Sequence, residues 1–111
     1  MNESNLGYYQ WGEGCEGWHL CALETLSVIK EKMPPGTQEI KHYHASKTQY
    51  FFILEGELVI WMDHQEIHLK KHQGITVLPT VTHEVRNDSQ GEVTFLVISS
   101  PSDAMDRIDI S

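Results

Sequence analysis

Short strand-like segments separated by turn residues recur through most of this chain. They are predicted near residues 38–44, 49–54, 57–63, 66–70, 75–79, 82–87 and 92–100. Residues 18–33 are rich in Leu, Val, Ile and Thr with alternating polarity, which also favours a strand. No window of ten or more residues carries a helical apolar stripe. Many short strands with frequent turns indicate an all-β sandwich or barrel.

The domain organisation follows from the length and from the distribution of glycine and proline. A chain of 111 residues forms one domain and can bury a hydrophobic core. Residues 1–17 are polar and rich in glycine, which predicts an N-terminal arm with irregular structure. The β domain is expected to span residues 18–100, with a break at Met33-Pro34-Pro35-Gly36 because proline cannot donate to a strand ladder. Residues 101–111 form a tail whose structure the sequence leaves open.

Two of the predicted strand segments are apolar on both faces. They are Tyr50–Leu54 and Leu58–Met62. A strand that is buried on both faces needs cover from another sheet or from a second subunit. The sequence therefore predicts a homodimer.

Charge and cysteine content argue against several classes of protein. Lys and Arg together number 8 and Asp and Glu 16, for a net charge of −8, which is unsuited to nucleic-acid binding. No apolar run approaches the ~20 residues of a membrane span, so no membrane partner is expected. The N-terminal residues resemble no secretory signal, and a cytoplasmic location is expected. Cys15 and Cys21 lack CxxC spacing and are expected to be free thiols.

Two histidines one residue apart, His42 and His44, are the strongest candidates for a functional site. In a strand they lie on one face with Cα atoms about 6.6 Å apart, two rises of ~3.3 Å. Both imidazoles can bind one cation at that spacing, since Zn–N distances are about 2.0–2.1 Å. Gln49 lies on the next predicted strand, and His83 begins a later one. Three histidines suit zinc, iron, nickel or copper and leave a coordination position open.

The spacing around these histidines resembles the first motif of the cupin family. That motif is a glycine, five residues, His-x-His, three or four residues, Glu, six residues and a second glycine. This chain has Gly36, five residues, His42-x-His44, four residues, Gln49, six residues and Gly56. All spacings agree, and the one departure is Gln49 where the family has glutamate.

The second cupin motif is a proline-containing turn, a histidine and an asparagine four positions later. Here Pro79 precedes His83 and Asn87 follows it, while Thr80 stands where the family usually has a glycine. The resemblance covers roughly residues 24–101. It implies an antiparallel double-stranded β-helix, a barrel of the jelly-roll type.

The resemblance also implies a metal site in the barrel. The ion would be a divalent Fe, Zn, Mn or Ni on His42, His44 and His83, assisted by the amide oxygen of Gln49. Phe51 and Ile53 share the face of Gln49 and are expected to form an apolar wall beside the ion. A glutamine removes one negative charge, so weaker metal binding is expected, and it removes the carboxylate base that Glu-containing cupins have at this position.

Three functional hypotheses remain open from the sequence. The first is a small metalloenzyme that acts on a small oxygenated molecule by dioxygenase, isomerase or lyase chemistry. The second is a non-catalytic module that binds or senses a small ligand, and the third is a barrel whose histidines bind nothing. His64, His68 and His72 are spaced by four residues but are expected to be exposed. Glu39 and Glu55, which flank the motif, are also expected to face solvent.

Overall fold

The computed structural model describes residues 7–102 and 106–110, and these residues form an all-β fold. The first strands are β1 (Tyr8–Trp11), β2 (Cys15–Ala22), β3 (Ser27–Met33), β4 (His42–His44), β5 (Thr48–Glu55) and β6 (Leu58–Met62). They are followed by β7 (Gln65–Leu69), β8 (Gly74–Val77), β9 (His83–Arg86), β10 (Val93–Ser100) and β11 (Arg107–Asp109). No α-helix occurs within the described ranges, so the all-β prediction is confirmed.

The strands form two antiparallel sheets that enclose one hydrophobic core. The six-stranded sheet has the order β1-β2-β3-β10-β5-β8, and the five-stranded sheet has the order β11-β4-β9-β6-β7. Residues alternate between the buried and the outer face, as in β10, where every second residue is buried. The two inner faces meet in a core that includes Met33, Ile53, Leu58, Ile60, Val85 and Phe95. This arrangement is the expected double-stranded β-helix.

The described part of the predicted irregular N-terminal arm, residues 7–17, contains strand structure instead, and residues 1–6 of that arm lie outside the described residues. β1 pairs with β2 from Tyr8 opposite Trp18 to Trp11 opposite Cys15, so the six-stranded sheet begins ten residues earlier than residue 18. The glycines that suggested irregularity have specific places. Gly12 and Gly14 take positive φ values of 54° and 84° in the turn between the two strands.

The C-terminal tail also contributes a strand. β11 pairs with β4, with Arg107 opposite His44 and Asp109 opposite His42. The strand predicted over residues 38–44 is shorter in the structure. Only His42–His44 forms a strand, and Gln38 makes an isolated bridge to Arg86. Strand pairing therefore brings the end of the chain against the predicted metal motif.

Several smaller expectations concern the surface. Cys15 and Cys21 are both free thiols, as predicted. His64, His68 and His72 are exposed, as expected. Asp63 and His64 form a turn, with φ values of 50° and 63° respectively. None of the described residues belongs to a helix long and apolar enough to cross a membrane.

Candidate metal centre

Three histidines from two neighbouring strands meet at the inner face of the five-stranded sheet. His42 and His44 are on β4, and His83 on β9 is the register partner of His42. All three are buried, with exposed fractions of 3%, 7% and 0%. One ligand nitrogen from each ring lies within 4.8 Å of the other two. The histidine that is distant in sequence therefore joins the local pair.

The second nitrogen of each ring is already hydrogen-bonded. His42 Nδ1 is 2.7 Å from the carbonyl oxygen of Ile40, and His83 Nδ1 is 2.9 Å from that of Val81. A carbonyl oxygen only accepts, so each Nδ1 carries the proton and each Nε2 keeps a free lone pair. Such hydrogen bonds to the outer nitrogen are usual for metal-binding histidines.

The third histidine is held by a carboxylate from the C-terminal segment. His44 Nδ1 is 3.0 Å from Oδ1 of Asp106. The other carboxylate oxygen accepts from the backbone amides of Ser46 at 3.1 Å and Lys47 at 2.9 Å, and the Lys47 ammonium is 3.7 Å from Oδ1. Burial acts to raise the pKa of Asp106, but these hydrogen bonds outweigh it and hold the pKa at about 2. The sequence offered no local signal for this contact, which spans 62 residues.

The protonation state of the cluster suits a cation. Burial lowers the pKa of His42 to about 3 and lowers the pKa values of His44 and His83 as well. The three rings are therefore neutral near pH 7, and neutral imidazole is the metal-binding form. The Nε2 atoms of His44 and His83 are buried without a hydrogen-bond partner in the described structure. Buried polar atoms rarely lack a partner, so the donor set fits a divalent ion.

Gln49 lies in the same region and has a buried amide oxygen without a partner in the described part of the chain. It lies on β5, is 8% exposed, and donates from Nε2 to Ser99 Oγ at 3.2 Å. Gln49 lines one cavity together with His42 and His44. A buried, unpartnered amide oxygen in this cavity fits a neutral fourth ligand, and ligation by Gln49 stays a prediction.

The two residues of the predicted apolar wall have different positions. Phe51 is buried, lines the cavity, and has its ring centroid 6.1 Å from that of His83. Ile53 is fully buried in the hydrophobic core and does not line the cavity. Ile29 and Val97 line the cavity beside Phe51. Ile53 is on the same face of β5 as Gln49 and Phe51, as predicted. It lies further along the strand, where that face packs into the hydrophobic core and not against the cavity.

Thr80, the departure in the second motif, has an unusual backbone conformation. Its φ is 70°, a value that is rare for a β-branched residue and easy for the glycine that the family has there. The amide of Thr80 donates to the carbonyl oxygen of His44 at 2.8 Å. This hydrogen bond joins the approach to β9 with β4, and so helps to bring His83 to the histidine pair.

The cavity also contains two glutamates that the sequence did not single out as functional. Its volume is about 280 Å³, and Glu31 and Glu39 line it together with His42 and His44. Glu39, which was expected to face solvent, is half-buried and lines the cavity, whereas Glu55 is exposed as expected. Burial raises the pKa of Glu39 to about 8 and that of Glu31 to about 7. Alternation along β3 could have indicated that Glu31 faces inward. No local sequence signal indicated that Glu39 lines the cavity.

The raised pKa of Glu39 predicts a pH-dependent stability. Between about pH 4.5 and pH 8 the folded protein holds a proton that the unfolded chain has lost, so stability falls as pH rises through this range. We expect the Tm of the metal-free protein to fall over this range, and to fall less in Glu39→Gln, which has no proton to lose. Thermal unfolding followed by circular dichroism at several pH values measures this. Glu55→Gln, at an exposed position, should behave as the wild type, and an equal pH dependence in Glu39→Gln would contradict the assignment.

The fold and the histidine cluster together define a class of protein. Two antiparallel sheets close into a double-stranded β-helix, with three inward histidines whose free nitrogens converge. The model of the cupin domain family matches residues 29–99, which is more than half of the chain. The chain therefore belongs to the cupin family.

Individual relatives are distant. Over 62 residues the chain is 36% identical to quercetin 2,3-dioxygenase of Bacillus subtilis, a match that covers 56% of this chain and 18% of that protein. Over 56 residues it is 27% identical to the tetracenomycin polyketide synthase protein TcmJ of Streptomyces glaucescens, covering 50% of this chain and 38% of that protein. The chain thus spans well under two thirds of the length of these curated relatives.

Solved structures agree with the fold. An RmlC-like cupin from Shewanella frigidimarina superimposes with a TM-score of 0.83 at 19% identity, over 94% of this chain and 91% of that one. KdgF from Halomonas sp. superimposes with a TM-score of 0.81 at 12% identity, over 87% of each chain. At these identities the likeness concerns the fold alone.

Proposed function

We propose that this protein is a metal-dependent cupin enzyme that acts on a small oxygen-bearing molecule. His42, His44 and His83 would hold a divalent Fe, Zn, Mn or Ni ion, with Gln49 as a neutral fourth ligand. The observation that carries the proposal is the convergence of three histidines whose Nδ1 atoms are hydrogen-bonded and whose Nε2 atoms lie close together. The bound ion would supply Lewis-acid chemistry or oxygen activation.

The rest of the cavity supports a reaction chamber for a small molecule. Phe51, Ile29 and Val97 line it with apolar surface. Glu31 and Glu39 add groups that exchange protons near neutral pH. The name of the Bacillus subtilis relative describes a dioxygenase, which is one of the reaction types considered, but only 18% of that protein is matched.

Metal content tests the proposal directly. The protein is purified, stripped with chelator and titrated separately with Fe²⁺, Mn²⁺, Zn²⁺ and Ni²⁺ by calorimetry, with elemental analysis after dialysis. We expect one ion per chain and a higher Tm, because a ligand at a concentration of about 100 Kd stabilises the folded state by about 2.7 kcal/mol. Retention of none of the four ions, with an unchanged Tm, would refute a metal-dependent function and favour a barrel with idle histidines.

Replacing Gln49 with glutamate should strengthen metal binding. The substitution restores a negative charge at the position where the family has a carboxylate ligand, and a charged oxygen attracts a divalent cation more strongly than an amide oxygen does. We expect the Kd for the retained metal to fall about tenfold or more, equivalent to about 1.4 kcal/mol. Calorimetric titration measures it, with Gln65→Glu on the exposed end of β7 as the matched control. Equal affinities in Gln49→Glu and the wild type would show that Gln49 is not a ligand.

A non-catalytic module that binds or senses a small ligand is the alternative proposal. The observation that favours it is Gln49, which takes the place of a carboxylate able to act as a base. Incubating the metal-loaded protein with candidate small molecules, followed by mass spectrometry, separates the two functions. Recovery of tightly bound but chemically unchanged ligand supports sensing, whereas product formation that requires the metal supports catalysis.

We also propose that the protein is a homodimer formed through the outer face of the six-stranded sheet. Tyr50, Phe52, Leu96, Ile98 and Val28 are register neighbours on that face, and Tyr50 is 37% exposed. An exposed patch of neighbouring apolar side chains favours a protein interface. Light scattering after size exclusion should give a dimer for the wild type and a monomer for Tyr50→Lys. Leu78→Lys, at an exposed apolar position outside this patch, should stay dimeric, and a monomeric wild type would contradict the proposal.

A further inference from the structure

Glu31 is held in the cavity by a side chain from the N-terminal strand. In register, Tyr9 on β1 lies opposite Gly17 on β2, and Gly17 lies opposite Glu31 on β3. A Cβ atom at Gly17 would lie 2.2 Å from Cζ of Tyr9, so only glycine lets the Tyr9 ring cross β2. The Tyr9 hydroxyl donates to Glu31 Oε2 at 2.6 Å. Three strands thus cooperate to fix one carboxyl group.

Glu39 is fixed from the opposite sheet. The backbone amide of Val85 on β9 donates to Glu39 Oε1 at 3.2 Å, and the amide of Glu39 donates to the carbonyl oxygen of Val85 at 3.1 Å. Because β9 also carries His83, this contact couples the position of Glu39 to the histidine cluster. We call Glu31 and Glu39 the carboxyl wall.

The carboxyl wall shares its cavity with unpartnered polar atoms. Gln49 and His44 are each more than nine-tenths buried and line the same cavity, and Gln49 Oε1 and His44 Nε2 have no hydrogen-bond partner among the described residues. The cavity volume of about 280 Å³ equals about nine water molecules at about 30 Å³ each. That is room for a single-ring molecule or a short polyol.

The cations of the cavity are already paired with aspartates. The Lys47 ammonium is 3.7 Å from Asp106, and Nε of Arg107 donates to Asp109 at 2.7 Å. Each cation is thus partly neutralised by its aspartate, and an incoming carboxylate or phosphate would also face Glu31 and Glu39. The charge distribution therefore favours a neutral ligand with hydroxyl groups.

We propose that the carboxyl wall binds a neutral, hydroxyl-bearing ligand beside the three histidines and accepts the proton that this ligand loses on binding. The O–H bond of the ligand breaks, its proton passes to a carboxylate oxygen of Glu39 or Glu31, and the electron pair stays on the ligand oxygen that faces His42 and His44, which line the cavity. This inference rests on the proposed metal-dependent function and names the ligand class and the proton acceptor for the same cavity.

The charges around the wall are consistent with proton exchange near neutral pH. Burial is the main cause that raises the pKa values of both glutamates, and the charge of Glu31 raises the pKa of Glu39 further. Glu84 also acts to raise the pKa of Glu39, while Arg107 acts to lower both pKa values. The hydrogen bond from Tyr9 lowers the pKa of Glu31. Near pH 7.5 the wall therefore holds protons only in part, and it can accept another.

Proton counting by calorimetry tests the inference with maltol, a neutral hydroxypyranone of one ring, as the probe. The protein is first loaded with the metal that it retains, and metal content is measured before and after titration. Maltol is then titrated near pH 7.5 in two non-coordinating buffers of different ionisation enthalpy, for the wild type, Glu31→Gln, Glu39→Gln and the double variant. We expect the double variant to release about one more proton to buffer per maltol bound than the wild type does.

Matched controls separate the possible outcomes. Glu16→Gln removes the acceptor of the Tyr8 hydroxyl outside the cavity and should release protons as the wild type does. Malonate, a dianion of similar size, should bind the double variant several-fold more tightly than the wild type, because the negative charge that the wall carries at this pH is removed. If circular dichroism shows that the double variant is unfolded, the single variants are used in its place. Each of them is expected to show a smaller increase in proton release than the double variant would.

The failure of this inference is distinguishable from the failure of the proposed function. A wild type that retains no metal refutes the proposed function, and the inference falls with it. A wild type that binds metal but not maltol, or that releases as many protons as both glutamate variants do, overturns the carboxyl wall and leaves the metal site intact.

Discussion

Replacing His83 with alanine is expected to abolish stable metal binding. The substitution leaves His42 and His44 as a pair from one short strand and removes the ring that lies opposite His42 in the register of β4 and β9. Since three neutral nitrogens are the main ligands, loss of one should raise the Kd by about 100-fold or more, equivalent to about 2.8 kcal/mol. Calorimetric titration with the metal retained by the wild type measures the change, together with elemental analysis after dialysis.

The control for His83→Ala is another histidine that does not face the cavity. His68 on β7 is exposed, with its ring near Glu66, and His68→Ala should bind metal with wild-type affinity. Circular dichroism confirms that both variants are folded. Wild-type metal affinity in His83→Ala would show that His83 is not a ligand, and it would contradict the proposed three-histidine site.

Replacing Asp106 with asparagine is expected to weaken metal binding and to destabilise the fold. One carboxylate oxygen of Asp106 faces His44 Nδ1, and the other accepts from the amides of Ser46 and Lys47. An asparagine has only one acceptor oxygen, so either His44 or the two amides must face an NH₂ group. Loss of such an outer contact typically lowers metal affinity by about 10–100-fold.

The stability effect of Asp106→Asn has a separate cause. Lys47 is buried, and its ammonium group would lose the carboxylate that lies 3.7 Å away. Breaking a buried ion pair by removing one partner costs about 3–5 kcal/mol of the free energy of unfolding. Urea denaturation of the metal-free protein measures this loss.

A spectroscopic readout connects the two effects of Asp106→Asn. In the wild type, ¹⁵N chemical shifts should show the proton of His44 on Nδ1, and the variant should show a mixture of tautomers. Asp88→Asn, which removes an exposed partner of Arg86, should change neither metal affinity nor the tautomer. Unchanged metal affinity and an unchanged tautomer in Asp106→Asn would show that Asp106 does not position His44.

Part of the candidate site could be predicted because it depends on local spacing. His42 and His44 are two residues apart, and the two-residue period of a strand places them on one face wherever that strand lies. The spacing of Gly36, Gln49 and Gly56 around them is equally local, and it led to the cupin fold that the family match and the solved structures confirm. The all-β class followed in the same way from alternation and turn residues.

One error in the sequence analysis has its origin in glycine. Residues 1–17 were predicted to be irregular because they contain several glycines. Gly17, however, lies within strand β2, where the missing side chain lets the Tyr9 ring cross the strand. A glycine that terminates a strand and a glycine that makes room for a neighbouring ring are the same letter in a sequence. Only the pairing of β1 with β2 and β3 distinguishes the two roles.

By itself, the sequence determined the strand-rich class of the fold, the local pair of histidines and the absence of the usual glutamate at position 49. The tertiary structure alone decided that Asp106 reaches His44 across 62 residues and that Glu31 and Glu39 face the same cavity as His42 and His44. The reason is physical: the period of a strand is set within a few residues of chain, whereas the side chains that meet between two sheets are set by strand order and register. The chemistry proposed for this cavity depends on those long-range contacts.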